Sequence, residues 1–470
     1  MSDNLIPHNA SIMNIKSTII VFILAVASVI SAVAVERNDR RAEAAEIDTT
    51  VDLLPASFDV NDVDHITLQR GDETLVFARD ETGWWQTSPF RYPMDPFSIR
   101  QLVVLASELR VLDVIETQPD DASTSLAALR LDPPAATLTF GWGDESASLH
   151  LGRRGVAGRA YLRRADAPTV YVVDAKFHDR AIDMDDREWR DRAIFRGIDA
   201  DANMITRVQG DVTLVLARET QQWEMRKPAV TRADPEAMSA LLSDIARMQV
   251  GGFVLDEPDD LASFGLEAPI ATLEIQSSAR VVTDAGTEIV PKTQRLLVGA
   301  QAAAGTQDRF AMVDGQPVVF RLPAAAIIQV LLQPVEYLID ARGSGAAPAD
   351  VKSLVIRHDG SELRLVRHLE EWKYERGEDI LTVPYAYVEQ LLQQLTTLRA
   401  PRIVRRPYPQ DAEVAVITMY GYDRRPLDTV RLVRDPDSQE WALENGDNVL
   451  RILGTDVEWK LTPADYGLDG

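Results

Sequence analysis

"ETGWWQTSPFRYPMDPFSIRQLV", residues 81–103, joins a tryptophan pair, a proline-broken loop and the start of a run of apolar residues at helical spacing. The chain carries the same arrangement twice more, as "QQWEMRKPAVTRADPEAMSALL" from Gln221 and "EEWKYERGEDILTVPYAYVEQLL" from Glu370. Repetition on this scale marks a folding unit, because every copy has to bury its own apolar face. In each copy a tryptophan (Trp84, Trp223, Trp372) stands twelve residues before a proline (Pro96, Pro235, Pro384) that opens an amphipathic helix. Asp95 and Asp234 precede the first two prolines, giving an N-cap acceptor followed by a residue whose φ is already helical. The apolar stripes are Leu102, Val103, Leu105, Ala106 and Leu109, then Met238, Leu241, Leu242, Ile245 and Met248, then Val388, Leu391, Leu392, Leu395 and Leu398.

Upstream of each tryptophan, "HITLQRGDETLVFAR", "MITRVQGDVTLVLAR" and "LVIRHDGSELRLVRH" alternate apolar and polar residues around a Gly-Asp or Asp-Gly turn. That pattern predicts a hairpin whose next strand carries the tryptophan into the core. Downstream, "LAALRLDPPAATLTF" matches "LASFGLEAPIATLEI", and a glycine-turn hairpin follows in the first two copies. The third copy lacks that glycine turn and is expected to be a shortened, capping version. The fold class is therefore α+β, with three modules of mostly antiparallel sheet and one principal helix each. They are placed at 53–198, 199–340 and, divergent, 351–470, with the small-residue stretch 341–350 as linker.

Ahead of the modules, residues 17–35 ("STIIVFILAVASVISAVAV") contain no charge and are long enough for one bilayer crossing. They follow a tail, 1–16, and precede a mixed-charge linker, 36–52. Lys16 before the run and "AVA" at its end equally fit a cleaved export signal. Both readings export the remainder, and a single-pass protein of the cytoplasmic membrane with extracytoplasmic modules is expected. Arg37, Arg40 and Arg41 on the far side pull the other way.

With 73 acidic against 49 basic residues the net charge is -24, which repels polyanions and argues against a nucleic-acid partner. The absence of cysteine excludes disulfides, thiol catalysis and cysteine-held metals. The six histidines show no metal-binding spacing, and no cofactor is expected.

Taken together, the membrane segment, the strand pair, "GWW", the "YPMDPFSIRQLV" helix entry, "GLEAPIATLEI" and "LGRRGVAGRAYLRR…VYVVD" resemble the domain-of-unknown-function family 4340. The resemblance implies an auxiliary role beside ABC-type transport systems of the gliding-motility kind, with a permease and ATPase as partners. The chain has no nucleotide-binding loop of its own.

Three stretches invite chemistry. "LGRRGVAGR" could cradle an anion through Arg153 and Arg154, although no helix pattern follows it, so a hairpin turn is expected. "DMDDREWRDR", 183–192, reads as a solvated helix with ion pairs Asp183–Arg187, Asp186–Arg190 and Glu188–Arg192 rather than a calcium loop. The acidic steps near Asp120 and Asp259 could be paired carboxylates of a hydrolase, or caps of short turns. Trp85, which has no counterpart in the other copies, points away from the core by alternation and is a candidate ligand or partner surface. The expected function is that of a non-catalytic, membrane-anchored accessory or scaffold. The alternatives are an envelope polysaccharide-binding module and an acidic-pair hydrolase.

Overall fold

The computed structural model describes residues 53–115, 125–198, 202–220, 222–283, 286–376, 379–408, 410–436 and 438–468. The expected membrane segment and its flanking tail and linker lie outside them. Among the described residues no helix is long and apolar enough to cross a membrane.

The first module shows the plan. Its strands are β1 (His65–Arg70), β2 (Glu73–Asp80), β3 (Gly83–Ser88), β4 (Tyr92–Pro93), β5 (Val111–Ile115), β6 (Ala136–Trp142), β7 (Glu145–Arg154), β8 (Arg159–Arg164) and β9 (Val170–Asp174). They form one sheet in the order β4-β3-β2-β1-β6-β7-β8-β9-β5. Two meanders thus meet at β1 and β6, and β5 returns to the far edge beside β9. Helix α1 (Pro96–Ser107) links β4 on one edge to β5 on the other, so it has to cross the sheet face. That crossing explains the single apolar stripe: Ile99, Leu102, Val103 and Ala106 are buried on the sheet side.

The second and third modules repeat the nine-stranded order strand for strand. Their helices, α2 (Pro235–Ala246) and α3 (Tyr385–Thr396), have the same twelve-residue length as α1. Every strand pairing among the described residues is antiparallel, and strand dominates over helix. The modules are mostly β, which corrects the balance implied by a plain α+β description. The expectation of a shortened third copy also fails, because the third sheet has its full nine strands without the glycine turn. Alternation of side chains, and not that particular turn, is what the architecture requires.

The N-caps form as the sequence dictates. Asp95 accepts from the Ser98 N–H at 3.0 Å, and Asp234 accepts from Glu236 and Ala237 at 3.0 and 2.9 Å. At α3 the cap is Pro384, which makes no side-chain bond. The outermost residue of the expected α3 stripe, Leu398, is exposed, because the helix ends two residues before it. In the second module the hairpin Ala271–Thr283/Gly286–Gln301 is longer than its counterparts. Beyond Ser277 the outgoing strand no longer pairs with Ala202–Gln209.

The chain divides into two compact units, Met1–Asp191 and Arg192–Gly470. The first holds the first sheet and the second holds the other two. Each module packs its sheet, helix and following connector around an apolar core, represented by Phe77 and Trp189, by Leu216 and Phe320, and by Leu365 and Trp372.

Candidate functional site

The residues singled out by sequence do not converge. Trp85 lies on β3 with its neighbours Trp84 and Gln86 buried on the other face. Its indole N–H donates to Asp80 at 3.1 Å and to Thr82 at 3.0 Å, and the Arg91 guanidinium stacks over its ring at 4.0 Å. Asp80 is correspondingly held down to about 2, chiefly by the Thr82 hydroxyl. Arg153 and Arg154 end β7, both exposed, and lead through a turn into β8 with no helix behind them. Arg153 lies over Tyr161 at 5.3 Å, while Arg154 pairs with Asp179 at 2.5 Å and with Asp183. Gly152 has a packing reason of its own: a Cβ there would stand 2.5 Å from the Leu129 carbonyl oxygen. Its counterpart Gly299 faces the Phe264 carbonyl even more closely.

The stretch 183–192 is not a solvated helix. It leaves a π-turn at Asp183 and enters the 3-10 turn Asp186–Trp189, whose Trp189 is fully buried. A large aromatic side chain at that point pulls the segment into the core as a tight turn. Of the expected pairs Asp186–Arg190 forms, at 3.4 Å, whereas Asp183 turns to Arg154. Asp260 of the second acidic step caps the following turn, accepting from the Ala262 N–H at 2.8 Å. The first acidic step, near Asp120, lies outside the described residues. Among the described residues no group of three or more histidines or carboxylates is placed to hold a metal ion.

Sequence reasoning missed the most organised polar cluster, which sits inside the second unit where the second module meets the third. Arg451 is fully buried. Its Nε donates to the Asp340 carbonyl at 2.8 Å, and its Nη2 to Asp447 at 2.8 Å and to Thr231 at 3.2 Å. Thr231 in turn donates to Asp447 at 2.5 Å. Arg342 grips the Asp340 carboxylate with two bonds of 2.9 Å, and Arg232 reaches Asp428 of the third module at 3.1 Å. Arg399 of the third module pairs with the α2 cap Asp234. Burial pushes the Asp340 carboxyl up, but the bonds from Arg342 and the charge of Arg232 outweigh it and hold it below the usual range. Asp447 shows the same balance, with burial opposed by Arg451. These charges consume one another, as buried ions must. The available signal was the arginine inside the apolar strand Val449–Gly454, whose sequence reads "VLRILG".

Beside this cluster a cleft of about 320 Å³ opens over Trp223, between α2 and the connector that carries Arg342 and Gly345. Pro235, Met238 and Leu242 give it an apolar wall, and Ser239 and Arg342 give it polar groups. Trp223 is only half-buried, unlike Trp84 and Trp372. A further buried titratable group is His178 in the first module. Burial drives it down to about 4, against the opposing bond with the Tyr161 carbonyl at 2.9 Å.

The family model described as "Domain of unknown function (DUF4340)" matches residues 84–259 and 223–415. No curated protein matches the sequence.

Proposed function

We infer a role for this chain from one settled premise, that it belongs to the DUF4340 family. The reading is a non-catalytic accessory or scaffold of a membrane complex, anchored through residues 17–35, with the modules on the extracytoplasmic side. As the family resemblance implies, the complex is an ABC-type transport system whose permease and ATPase are separate chains.

The observation that supports a scaffold is how the strongest charges of the second unit are used. Arg232, Arg342, Arg399 and Arg451 bind Asp340, Asp428, Asp234 and Asp447, and the Arg232–Asp428 and Arg399–Asp234 pairs join the second module to the third. Mutually satisfied ion pairs around buried carboxylates favour one arrangement of two packed bodies, and the carboxylates so paired are not free for proton transfer. A rigid pair of modules held this way offers broad surfaces for a partner.

The test is affinity purification of the intact protein from its native membrane in mild detergent. Recovery with a permease and an ATPase is the expected outcome. Recovery alone, or with envelope polysaccharide, would refute the transporter reading.

A further inference from the structure

The three modules place the same pair of side chains at the same point. Arg79 faces Trp84, Arg218 faces Trp223 and Arg367 faces Trp372 across the second and third strands. Over that pair runs the helix, and its fifth residue differs in each copy: Arg100, Ser239 and Glu389.

In the third module Glu389 closes the space. Its Oε1 accepts the Trp372 indole N–H at 3.2 Å and the Arg367 guanidinium at 3.0 Å, and Trp372 is fully buried. In the first module Arg100 and Arg79 both reach Asn61, at 2.8 and 3.0 Å, over a buried Trp84. In the second module Ser239 is too short to reach across. Neither its hydroxyl nor the Trp223 indole N–H has a hydrogen-bond partner among the described residues, and the cleft of about 320 Å³ occupies the space. That volume falls at the lower end of small-ligand sites, about 300–1,000 Å³.

We propose that this cleft binds a carboxylate carried on an apolar or aromatic stem. The carboxylate takes the place that Glu389 fills in the third module, accepting from the Trp223 indole and the Ser239 hydroxyl. The stem lies against Pro235, Met238 and Leu242. Arg232 and Arg342 at the wall offset the Asp340 and Glu224 carboxylates that also line the cleft, with Asp340 already taken up by Arg342. The same chemistry is offered by a small free acid and by a glutamate side chain of a partner polypeptide.

The experiment uses the full-length protein labelled with 5-fluorotryptophan, in which the Trp223→Phe variant assigns the Trp223 signal among those of the 8 tryptophans. One arm titrates phenylacetate, with phenylacetamide as neutral control. The other titrates an end-blocked peptide in which a single glutamate adjoins phenylalanine. A saturable shift of the Trp223 signal alone is expected, with phenylacetamide at least about tenfold weaker, a difference of about 1.4 kcal/mol. A response to phenylacetate identifies a small acid as sufficient, and a response confined to the peptide assigns the carboxylate to a partner chain. Ser239→Glu installs the third module's own solution and abolishes the shift. Ser239→Gln, which fills the cleft without a charge, does the same and serves if the first variant folds poorly. The proposal is overturned by equal binding of acid and amide, by a shift that survives both substitutions, or by silence in both arms to about 20 mM, beyond the millimolar affinities typical of the weakest specific sites.

Discussion

Replacing Arg451 by methionine removes the centre of the junction between the second and third modules without leaving a large cavity. The side chain is fully buried, and its loss strands the Asp447 carboxylate and the Asp340 carbonyl in the interior. Removing one partner of a buried pair costs about 3–5 kcal/mol. Asp447 keeps its bonds from the Thr231 hydroxyl and the Val449 N–H, so the lower end, about 3 kcal/mol, is expected. The pH dependence supplies a second reading with a sign. In the wild type the folded-state Asp447 lies below its unfolded value, so its contribution is present above the unfolded pKa and fades as pH falls through the folded one. Without Arg451 burial dominates and raises the folded-state pKa above the unfolded one. The variant then binds the proton more readily when folded, and its deficit relative to wild type shrinks as pH falls from 7 toward 4. Urea unfolding followed by circular dichroism at several pH values measures both. A deficit below about 1 kcal/mol at pH 7, or one that grows in acid, would refute the reasoning.

Further expectations concern the first module. Burial holds His178 at about 4, below its unfolded value, so the folded state resists protonation. Stability of the first unit should fall as pH drops from about 6.5 toward 4, by up to about 3 kcal/mol, and His178→Phe should flatten that slope in thermal melts. Asp95→Ala removes an N-cap acceptor and should cost about 1 kcal/mol by denaturant titration, with Asp95→Asn recovering most of it. Gly152→Ala drives a Cβ against the Leu129 carbonyl and should destabilise by about 1–3 kcal/mol, whereas the same change at the half-buried Gly155, where a Cβ would meet nothing closer than the Tyr161 hydroxyl at 3.4 Å, should cost less.

Much of the module was legible because its signals are local. Tryptophan, aspartate, proline and the helical stripe recur at fixed spacing, and the alternation of the hairpins needs no knowledge of what they pack against. The caps at Asp95 and Asp234 follow from neighbours three residues away. Reading failed where a distant contact overrode a local pattern. Charges at 183–192 have helical spacing, yet Trp189 seeks the core and the segment becomes a tight turn. The third copy lost a recognisable turn and kept its sheet.

The sequence by itself determined three modules, their helix starts and the alternating strands, because these depend on propensities and periods that act within a few turns of chain. Only the tertiary structure decided the nine-strand order, the buried Arg451 cluster and the cleft over Trp223. Each of those depends on residues far apart in the chain, or on how far one side chain reaches toward another, as Ser239 and Glu389 do from the same place on two helices. Spacing along the chain encodes which face a residue takes. It does not encode what fills the space opposite.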